Sequence, residues 1–472
     1  MVFGIPMIHK YILKDLKIVL DVNSGSVHVF DDVAYELLDF VDGACLAHPI
    51  SGLVLKKMCK KFSRSSVECA YSELADLYKK GKLFSQGQVV SKELLEQNLR
   101  HSPVKSLCLN VAHDCNLRCR YCFASTGDFS TGRELMSFDV AKAAIDFLLS
   151  NSGVRRNLEV DFFGGEPLLN FAVVKKTVLY ARSLEEEYGK KFRFTLTTNG
   201  LLLTDAIIDF LNEEMSNVVL SLDGRRNIND SLRVTPSCDG SYDVIVPKFK
   251  RLVSRRGEKD YYVRGTFTKK NLDFSKDVLH INSLGFEQIS VEPVVLAPES
   301  EFSIKESDLD FITKEYEEVV EVILERRKNG NFLNFFHFMI DLENGPCAIK
   351  KLKGCSCGNE YIAVTPSGDI FPCHQFVGIE NWKMGNVLKD KLVDQNVRER
   401  FLESNIFSKK DCGSCWAKFF CGGGCNANNL KFNSDIRNPY KISCELQKKR
   451  VECALFLKIK LFELLKGITS LA

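Results

Sequence analysis

The chain has 472 residues, of which 45% are hydrophobic and 26% are charged, and its net charge is +3. This composition excludes disordered, collagen-like and coiled-coil chains, and at roughly 150 residues per domain it indicates about two to four folded domains. The basic residues are spread along the whole chain, so we expect no nucleic-acid partner. No stretch approaches the roughly 20 apolar residues that cross a bilayer and no secretory signal pattern is present, so we expect a cytoplasmic protein without a membrane partner.

Residues 1–90 predict a small α+β domain. The predicted elements are strands at 11–20 and 26–29 and helices at 32–40, 53–60 and 65–80. A hairpin followed by helices is typical of winged-helix-like modules, which read DNA or bind a peptide as an added strand at an exposed sheet edge. Cys45, Cys59 and Cys69 lack the spacing of metal ligands, and we expect them to be small buried hydrophobic residues.

Residues 101–330 alternate strands with amphipathic helices. The predicted strands are 107–112, 158–163, 192–198, 218–222, 261–268 and 288–294, and the predicted helices are 138–149, 173–187, 205–214, 244–255 and 274–283. Such a series predicts a parallel sheet, either doubly wound or closed into a partial (β/α)6 TIM-like barrel. In both architectures the functional groups lie at the carboxyl ends of the strands.

A cysteine triplet, Cys115, Cys119 and Cys122, follows the first of these strands at C-x3-C-x2-C spacing. Three thiolates on one loop can hold three irons of a 4Fe-4S cluster and leave the fourth iron open to a small ligand, although zinc and inert thiols are alternatives. Cys108 and Cys238 are read as non-ligands.

The ends of the following strands carry polar and glycine-rich segments. Gly164, Gly165, Glu166 and Pro167 end the second strand, where the glycines allow close approach of a ligand and Glu166 supplies an anionic acceptor for an ammonium group. Further candidates at later strand ends are Asn199, Ser221, Asp223, Arg233 and Arg264. Each of these is also compatible with an ordinary cap or turn.

Residues 345–453 hold ten of the 18 cysteines in irregular, glycine-rich sequence. Their spacing indicates metal sites, with zinc or iron–sulfur clusters as the alternatives, and Gly422, Gly423 and Gly424 leave room for a cofactor near the backbone. The candidate ligands are Cys347, Cys355, Cys357, Cys373, Cys412, Cys415, Cys421, Cys425 and Cys444. Cys453 follows on an apparent helix and is expected in the core.

The triplet resembles the motif of the radical S-adenosylmethionine (SAM) superfamily, C-x3-C-x-aromatic-C, with Tyr121 at the aromatic position. This resemblance implies a partial barrel, a 4Fe-4S cluster on the triplet and SAM on its open iron. It places the SAM amino group on residues 164–167 and makes Asn199, Ser221, Asp223 and Arg233 contacts of the sugar and carboxylate. Arg233 and Arg264 compete for the carboxylate.

The later cysteines are similar to a SPASM domain, which carries two auxiliary 4Fe-4S clusters, for three clusters in total. By this resemblance the first auxiliary cluster is bound by Cys347, Cys355, Cys373 and Cys425, and the second by Cys412, Cys415, Cys421 and Cys444. Cys357 departs from the expected pattern: it replaces Cys355, adds a ligand or is a spare thiol.

Segments along nearly the whole chain resemble the maturases of SCIFF ("six cysteines in forty-five") peptides. They are residues 18–27, 345–347, 358–361, 372–378, 415–418, 439–442 and 444–450. The resemblance implies thioether cross-links in a ribosomally made, Cys-rich precursor peptide whose leader binds the N-terminal module, and a low-potential flavodoxin or ferredoxin as electron donor. The alternatives are a sulfatase-maturating enzyme that makes formylglycine and, outside enzymes, a multi-cluster electron-transfer protein.

Two helices complete the prediction. Residues 308–329 combine a helical period with alternating charges, which indicates a solvated linking helix. Residues 444–465 are amphipathic, and we expect the C-terminal helix, counted as a separate unit at 454–472, to pack on the barrel or the N-terminal module rather than on a membrane surface.

Overall fold

The computed structural model describes residues 6–87, 100, 102–342, 352–390 and 392–469, the last five by their backbone alone. The N-terminal module contains an antiparallel sheet in the order β1–β2–β3 and four helices. The strands are β1 (Ile8–Leu13), β2 (Leu16–Asp21) and β3 (Val27–Val29), and the helices are α1 (Asp32–Leu37), α2 (Gly43–Leu46), α3 (Gly52–Met58) and α4 (Arg64–Lys79). Each helix begins after an aspartate or serine whose side chain accepts a backbone hydrogen bond from its first turn.

Two expectations for this module are wrong. The run 11–20 is a hairpin of two strands, because Lys14 adopts a left-handed φ of 51° and turns the chain back. The cysteines at 45, 59 and 69 are exposed, because the core of the module is filled by larger side chains such as Leu37, Leu46 and Leu74.

The middle of the chain forms the predicted parallel sheet. Its strands are β4 (Ser106–His113), β7 (Asn157–Gly164), β8 (Lys191–Thr198), β9 (Asn217–Ser221), β11 (Asp260–Phe267) and β12 (Gln288–Pro293). Each strand pairs in parallel with the next in chain order, which is the topology of a partial (β/α)6 barrel. The short pieces β5 (Arg118–Cys119), β6 (Glu134–Leu135), β10 (Arg233–Val234) and β13 (Asn334–Phe335) were not predicted.

Helices cover this sheet close to the predicted positions. They are α5 (Phe138–Asn151), α6 (Phe171–Ser183), α7 (Glu185–Tyr188), α8 (Asp205–Glu214), α9 (Arg226–Leu232), α10 (Tyr242–Ser254) and α11 (Phe274–Ser283). The predicted helix 173–187 is interrupted at Leu184, which divides it into α6 and α7.

The expected solvated linker is α12 (Leu309–Lys328), and it is not solvated on all sides. Ile312, Tyr316 and Ile323 are buried on one face, and the Tyr316 ring lies 5.0 Å from that of Phe274 in α11. The alternating charges occupy only the outer face, so α12 is part of the barrel wall.

The C-terminal region continues the barrel sheet. Its strands are β14 (Tyr361–Val364), β15 (Asp369–Phe371) and β16 (Gly385–Asn386), and its helices are α13 (Gln395–Leu402), α14 (Lys418–Cys421), α15 (Asn426–Asn433) and α16 (Lys441–Thr469). Strand β14 pairs in parallel with β4, with Ala363 opposite Cys108. This pairing attaches the cysteine-rich region to the first barrel strand.

Helix α16 runs across the expected boundary at residue 454. Cys453 is buried in its core-facing side, as expected, and Val451 and Leu455 pack against Leu20 and Val22 of the N-terminal sheet. Among the described helices, none has the length and apolar character that a membrane crossing requires.

Candidate functional site

A cavity of about 250 Å³ opens at the carboxyl ends of the barrel strands. The sequence candidates that line it are Cys115, Cys119, Tyr121, Cys122, Gly164, Gly165, Glu166, Asn199, Ser221, Arg233 and Arg264. Pro167 and Asp223 do not line it: Pro167 is buried at the start of a 3-10 helix, and Asp223 lies behind the wall. The chain thus gathers most of the predicted residues at one end of the barrel.

The cysteine triplet is held in a loop that is tied down at two points. Its middle cysteine, Cys119, lies opposite Arg233 in the short β5–β10 ladder, and the backbone N–H of Arg120 donates to the Leu232 carbonyl at 2.9 Å. Burial raises the pKa of Cys115 to about 11 and that of Cys119 to about 12. These thiols therefore keep their protons until a metal takes their place.

Glu166 is a buried carboxylate beside this loop, 1% exposed. It accepts hydrogen bonds from the Thr198 hydroxyl at 2.7 Å, the Asn199 backbone N–H at 2.8 Å and the Leu168 N–H at 3.1 Å. Burial raises its pKa to about 7, against these hydrogen bonds. Because a carboxylate has about four lone-pair sites, it retains acceptor capacity toward the cavity.

The two glycines before Glu166 serve the cysteine loop as much as a ligand. A Cβ on Gly164 would lie 2.2 Å from the Ala112 carbonyl oxygen, and one on Gly165 would lie 2.2 Å from that of Asp114. The freed space allows the Gly165 N–H to donate to Ala112 at 2.8 Å. The glycines thus fix the end of β7 against the strand that leads into Cys115.

Asp223 connects the cysteine loop to the barrel from behind the cavity. It accepts a hydrogen bond from the Tyr121 hydroxyl at 2.8 Å and pairs with Arg233 at 3.0 Å. It also accepts from the Thr266 backbone N–H at 2.9 Å. Its carboxylate is therefore already bonded to protein groups. Asp223 stabilises the position of the cysteine loop on the barrel.

The two arginines that compete in the sequence have different surroundings. Arg233 is buried and ion-paired with Asp223, whereas Arg264 is exposed to the cavity and makes no ion pair with any described residue. Arg264 lies opposite Ser221 in the β9–β11 register, and both side chains line the cavity. Of these two arginines, Arg264 is the one that makes no ion pair within the described ranges.

Several lining residues were missed in the sequence. Glu292, at the end of β12, lies 3.4 Å from His337 and 3.8 Å from Arg450. Burial opposes ionisation, but the positive fields of His337, Arg450 and Arg264 lower the pKa of Glu292. The sequence feature that could have identified Glu292 is its position at the end of a predicted strand.

The cysteine-rich region completes the wall with His374, Gln375 and Lys431. His374 directly follows Cys373, and its ring lies 4.9 Å from Phe163 and 5.5 Å from Phe123. Burial lowers the pKa of His374 to about 4. Only the tertiary fold brings this residue to the barrel mouth, so no local sequence pattern could have identified it.

The first cysteine set, which we define as Cys355, Cys357, Cys373 and Cys425, gathers next to that wall. Cys357 is buried and lies within hydrogen-bonding reach of Cys355 and Cys373, and the Asn426 amide lies 3.8 Å from its sulfur. Cys355 is more exposed and acts electrostatically on Cys425. Cys347 lies outside the described residues.

The second cysteine set consists of Cys412, Cys415, Cys421 and Cys444. These four side chains line another cavity, of about 530 Å³, and act electrostatically on one another. Among the described residues no three His, Cys, Asp or Glu side chains converge closely enough to hold a single metal ion. Sulfurs that surround a space suit a multi-iron cluster, which its ligands enclose.

A buried lysine beside the first cysteine set supports the fit of an iron–sulfur cluster to that site. The Lys353 ammonium is 1% exposed and has no hydrogen-bond partner among the described residues. Burial lowers its pKa to about 8, while the sulfurs of Cys357 and Cys355 act in the opposite direction. An orphaned cation beside four thiols fits a site that holds an anionic thiolate-bound cluster.

Comparison with known proteins identifies the barrel. Residues 109–261 match the profile of the Radical SAM superfamily. The chain carries a radical SAM domain. This domain is an enzyme domain of the radical SAM type, whose cofactors are SAM and a 4Fe-4S cluster.

Two relatives and one solved structure are similar to this chain over more than two thirds of its length. It is 25% identical over 344 residues to a cysteine-type anaerobic sulfatase-maturating enzyme of Clostridium novyi, covering 69% of this chain and 89% of the relative. It is 24% identical over 411 residues to the radical SAM cyclopropyl synthase TigE of Paramaledivibacter caminithermalis, covering 80% and 82%. The structure of native anSMEcpe with bound AdoMet and Kp18Cys peptide superposes with a TM-score of 0.63 at 20% identity, covering 76% and 99%.

Proposed function

We propose that this radical SAM enzyme installs thioether cross-links in a ribosomally made, Cys-rich precursor peptide. The observation that carries the proposal is the shared cavity: the cysteine triplet and Glu166 form one side, and His374, next to Cys373 of the first cysteine set, forms another. A peptide in this cavity therefore lies between the SAM end and the auxiliary end of the site.

At the SAM end, each group of the cofactor has a matching residue. Cys115, Cys119 and Cys122 would hold the cluster, and Glu166 would receive the SAM ammonium. Arg264 and its neighbour Ser221 are free to bind the carboxylate, whereas Arg233 is paired with Asp223. When bound and reduced, these cofactors supply a 5′-deoxyadenosyl radical that removes a hydrogen atom from the substrate.

At the substrate end, the walls suit radical chemistry. The Phe163 ring and the neutral His374 ring lie 4.9 Å apart and limit the access of water to the reacting carbon. The carbon loses one hydrogen atom, the peptide thiol loses a proton, and the new carbon–sulfur bond releases one electron. The first cysteine set would hold an auxiliary cluster that could accept this electron, and a low-potential flavodoxin or ferredoxin would supply the initial electron.

The N-terminal module offers a place for the leader of the peptide. Strand β3 is an edge of its sheet and pairs only with β2 among the described strands. In the β2–β3 register the backbone of Val27 and Val29 points away from β2. An extended leader can therefore add to this edge as a further strand.

Sulfatase maturation is the second candidate. The similarity to the Clostridium novyi enzyme over 89% of its length favours it, and the proposed thioether activity uses the same cavity. The two reactions differ in the fate of sulfur: formylglycine formation from cysteine removes sulfur from the substrate, whereas a thioether keeps it.

Tandem mass spectrometry of a Cys-rich peptide encoded beside this chain, after anaerobic reaction with SAM and reductant, tests the proposal. A thioether removes two hydrogens per bond, retains all sulfur and blocks the cysteine from alkylation. Loss of sulfur with gain of oxygen supports the sulfatase-maturating alternative. Unchanged peptide, together with no 5′-deoxyadenosine, supports an electron-transfer protein, and Glu166→Ala serves as the inactive control.

A further inference from the structure

Lys353 is a charged side chain in an unusual place. It lies on the approach to the first cysteine set, is 1% exposed, and its ammonium nitrogen has no hydrogen-bond partner among the described residues. Its neighbours include Cys355, Cys357 and Glu360. A buried cation without a partner destabilises a fold, because the charge loses its hydration and gains no compensating contact.

The neighbouring carboxylate does not compensate this charge. Glu360 is bonded to Arg155 at 2.6 Å and lies 3.3 Å from Lys105, so two other cations already share it. Ser356 donates a further hydrogen bond to it. Within the part of the chain that the structure describes, the other groups that act on the Lys353 ammonium and can carry negative charge are the sulfurs of Cys355 and Cys357.

Lys409 is a second buried lysine, 3% exposed, and it lies between the two cysteine sets. Its ammonium donates to the Gly423 carbonyl at 2.7 Å, and a Cβ on Gly423 would lie 2.7 Å from the Lys409 side chain. Thiols of both sets act on its charge, Cys355 from the first and Cys412 from the second. The absence of a side chain at Gly423 therefore leaves space for Lys409, and not only for a cofactor as the sequence predicted.

Among the described residues, the cysteine triplet has no buried cation beside it that lacks an ion pair, although the exposed Arg264 lines the same cavity. Arg233, the buried cation beside it, is already neutralised by Asp223 at 3.0 Å. An uncompensated positive charge stabilises the more negative, reduced form of a cluster and so raises its reduction potential. The three sites therefore differ in their built-in charge.

We propose that Lys353 and Lys409 are the counter-ions of the auxiliary clusters and raise their reduction potentials, Lys353 acting on the first cluster alone and Lys409 on both. This inference rests on the proposed assignment of clusters to the two cysteine sets. A raised reduction potential favours electron transfer to the cluster. The cluster nearest the peptide would therefore more readily accept the electron that carbon–sulfur bond formation releases.

Redox titration of the anaerobically reconstituted full-length protein, followed by electron paramagnetic resonance, tests the proposal. In Lys353→Met we expect the first auxiliary cluster to shift to a more negative midpoint potential, with the second unchanged. In Lys409→Met we expect both to shift, and the triplet cluster stays constant in each variant. Lys353→Arg, which keeps the charge, and Lys389→Met, which removes an exposed lysine that lines neither cavity, retain the wild-type potentials.

Iron and sulfide contents separate this proposal from the cluster assignment. Wild-type protein without iron in the two cysteine sets contradicts the proposed clusters themselves. Full iron in Lys353→Met with unchanged potentials overturns the counter-ion role, as does a Lys353→Arg variant that behaves like Lys353→Met. If Lys353→Met loses one cluster that Lys353→Arg retains, the requirement for positive charge is supported.

Discussion

Glu166 combines deep burial with three hydrogen-bond donors and still faces the cavity. Its pKa is raised to about 7, so the carboxyl group takes up a proton as the pH falls through neutrality. A proton and the SAM ammonium then compete for the same oxygens. The affinity for SAM is therefore expected to be linked to pH.

We predict that the Kd of the reconstituted enzyme for SAM rises as the pH falls below about 7. Glu166→Gln removes the charge and weakens binding about tenfold to a hundredfold, in line with roughly 1.5–3 kcal/mol for a hydrogen bond to a charged group. Perturbation of the cluster spectrum by SAM gives the Kd. The glutamine variant is expected to lose the pH dependence; a variant that keeps the wild-type slope would contradict the role of Glu166.

Cys357 is the residue on which the sequence was least decisive, and its surroundings now favour ligation over a spare thiol. It is buried against Cys373, and the Asn426 amide lies beside its sulfur. Such amide–sulfur contacts are typical of cluster ligands. The local pattern could not reveal this, because Cys355 and Cys357 are both compatible with the spacing to Gly368.

We predict that Cys357→Ser alters the spectrum of the first auxiliary cluster or lowers the iron content by one cluster, while SAM still perturbs the triplet cluster. Cys453→Ser is the matched control, because Cys453 is buried in α16. Both variants are measured by iron analysis and electron paramagnetic resonance. If both variants have the wild-type spectrum, Cys357 is a spare thiol and not a cluster ligand.

At the scale of elements, the strands and helices of the barrel were predictable and the short ladders were not. The strands at 107–112 and 192–198 differ from β4 and β8 by one residue at most at each end, because buried β-branched and aromatic runs mark them. The β5–β10 ladder involves two residues on each side, and its pairing joins segments more than a hundred residues apart. Hydrophobic periodicity contains no information on such a contact.

Strand β3 gives the element-scale prediction. Val29 is half exposed and its backbone N–H points away from β2, whereas the Phe30 N–H bonds to Lys17. Val29→Pro removes a donor at the open edge and leaves the β2–β3 hydrogen bonds in place. We expect the affinity for the leader to fall about tenfold or more. The variant loses one hydrogen bond to the leader, and the leader carbonyl that accepted this bond is left without a partner.

Fluorescence anisotropy of a labelled leader peptide measures this effect, and Val29→Ala, which keeps the N–H, is the control. Peptide-independent SAM cleavage stays at the wild-type rate in both variants, because β3 is remote from the barrel cavity in the fold. Wild-type leader affinity in Val29→Pro would place the leader elsewhere.

At the scale of the whole molecule, one sheet and one helix join the three parts of the chain. Strand β14 extends the barrel sheet, and α16 passes between the barrel and the N-terminal sheet. Sequence analysis recognised the cysteine-rich region but not its strand pairing, because a parallel partner in a distant segment leaves no local pattern. Sequence analysis also predicted a solvated linker at α12, because the charged residues of its outer face dominate the local pattern over those of its buried face.

A stacked pair of rings is one of the contacts between the N-terminal module and the region of the second cysteine set. The His9 ring of β1 lies 3.7 Å from the Trp416 ring at an angle of 3°, and His9 also lies 2.9 Å from Glu452 in α16. Trp416 directly follows Cys415. The N-terminal module, for which we propose leader binding, is thus fixed against a proposed cluster site.

We predict that Trp416→Ala increases hydrogen exchange of the β1 amides about twofold to tenfold, because a stacked ring pair contributes roughly 0.5–1.5 kcal/mol beyond its buried area. Amides of α4, which pack within the module, keep their wild-type exchange, and Trp416→Phe retains most of the protection in β1. His9→Ala in the Trp416→Ala background adds little, since the pair is already broken. Faster exchange in α4 as well would show that the module unfolds, and unchanged β1 amides would show that the stack does not hold it.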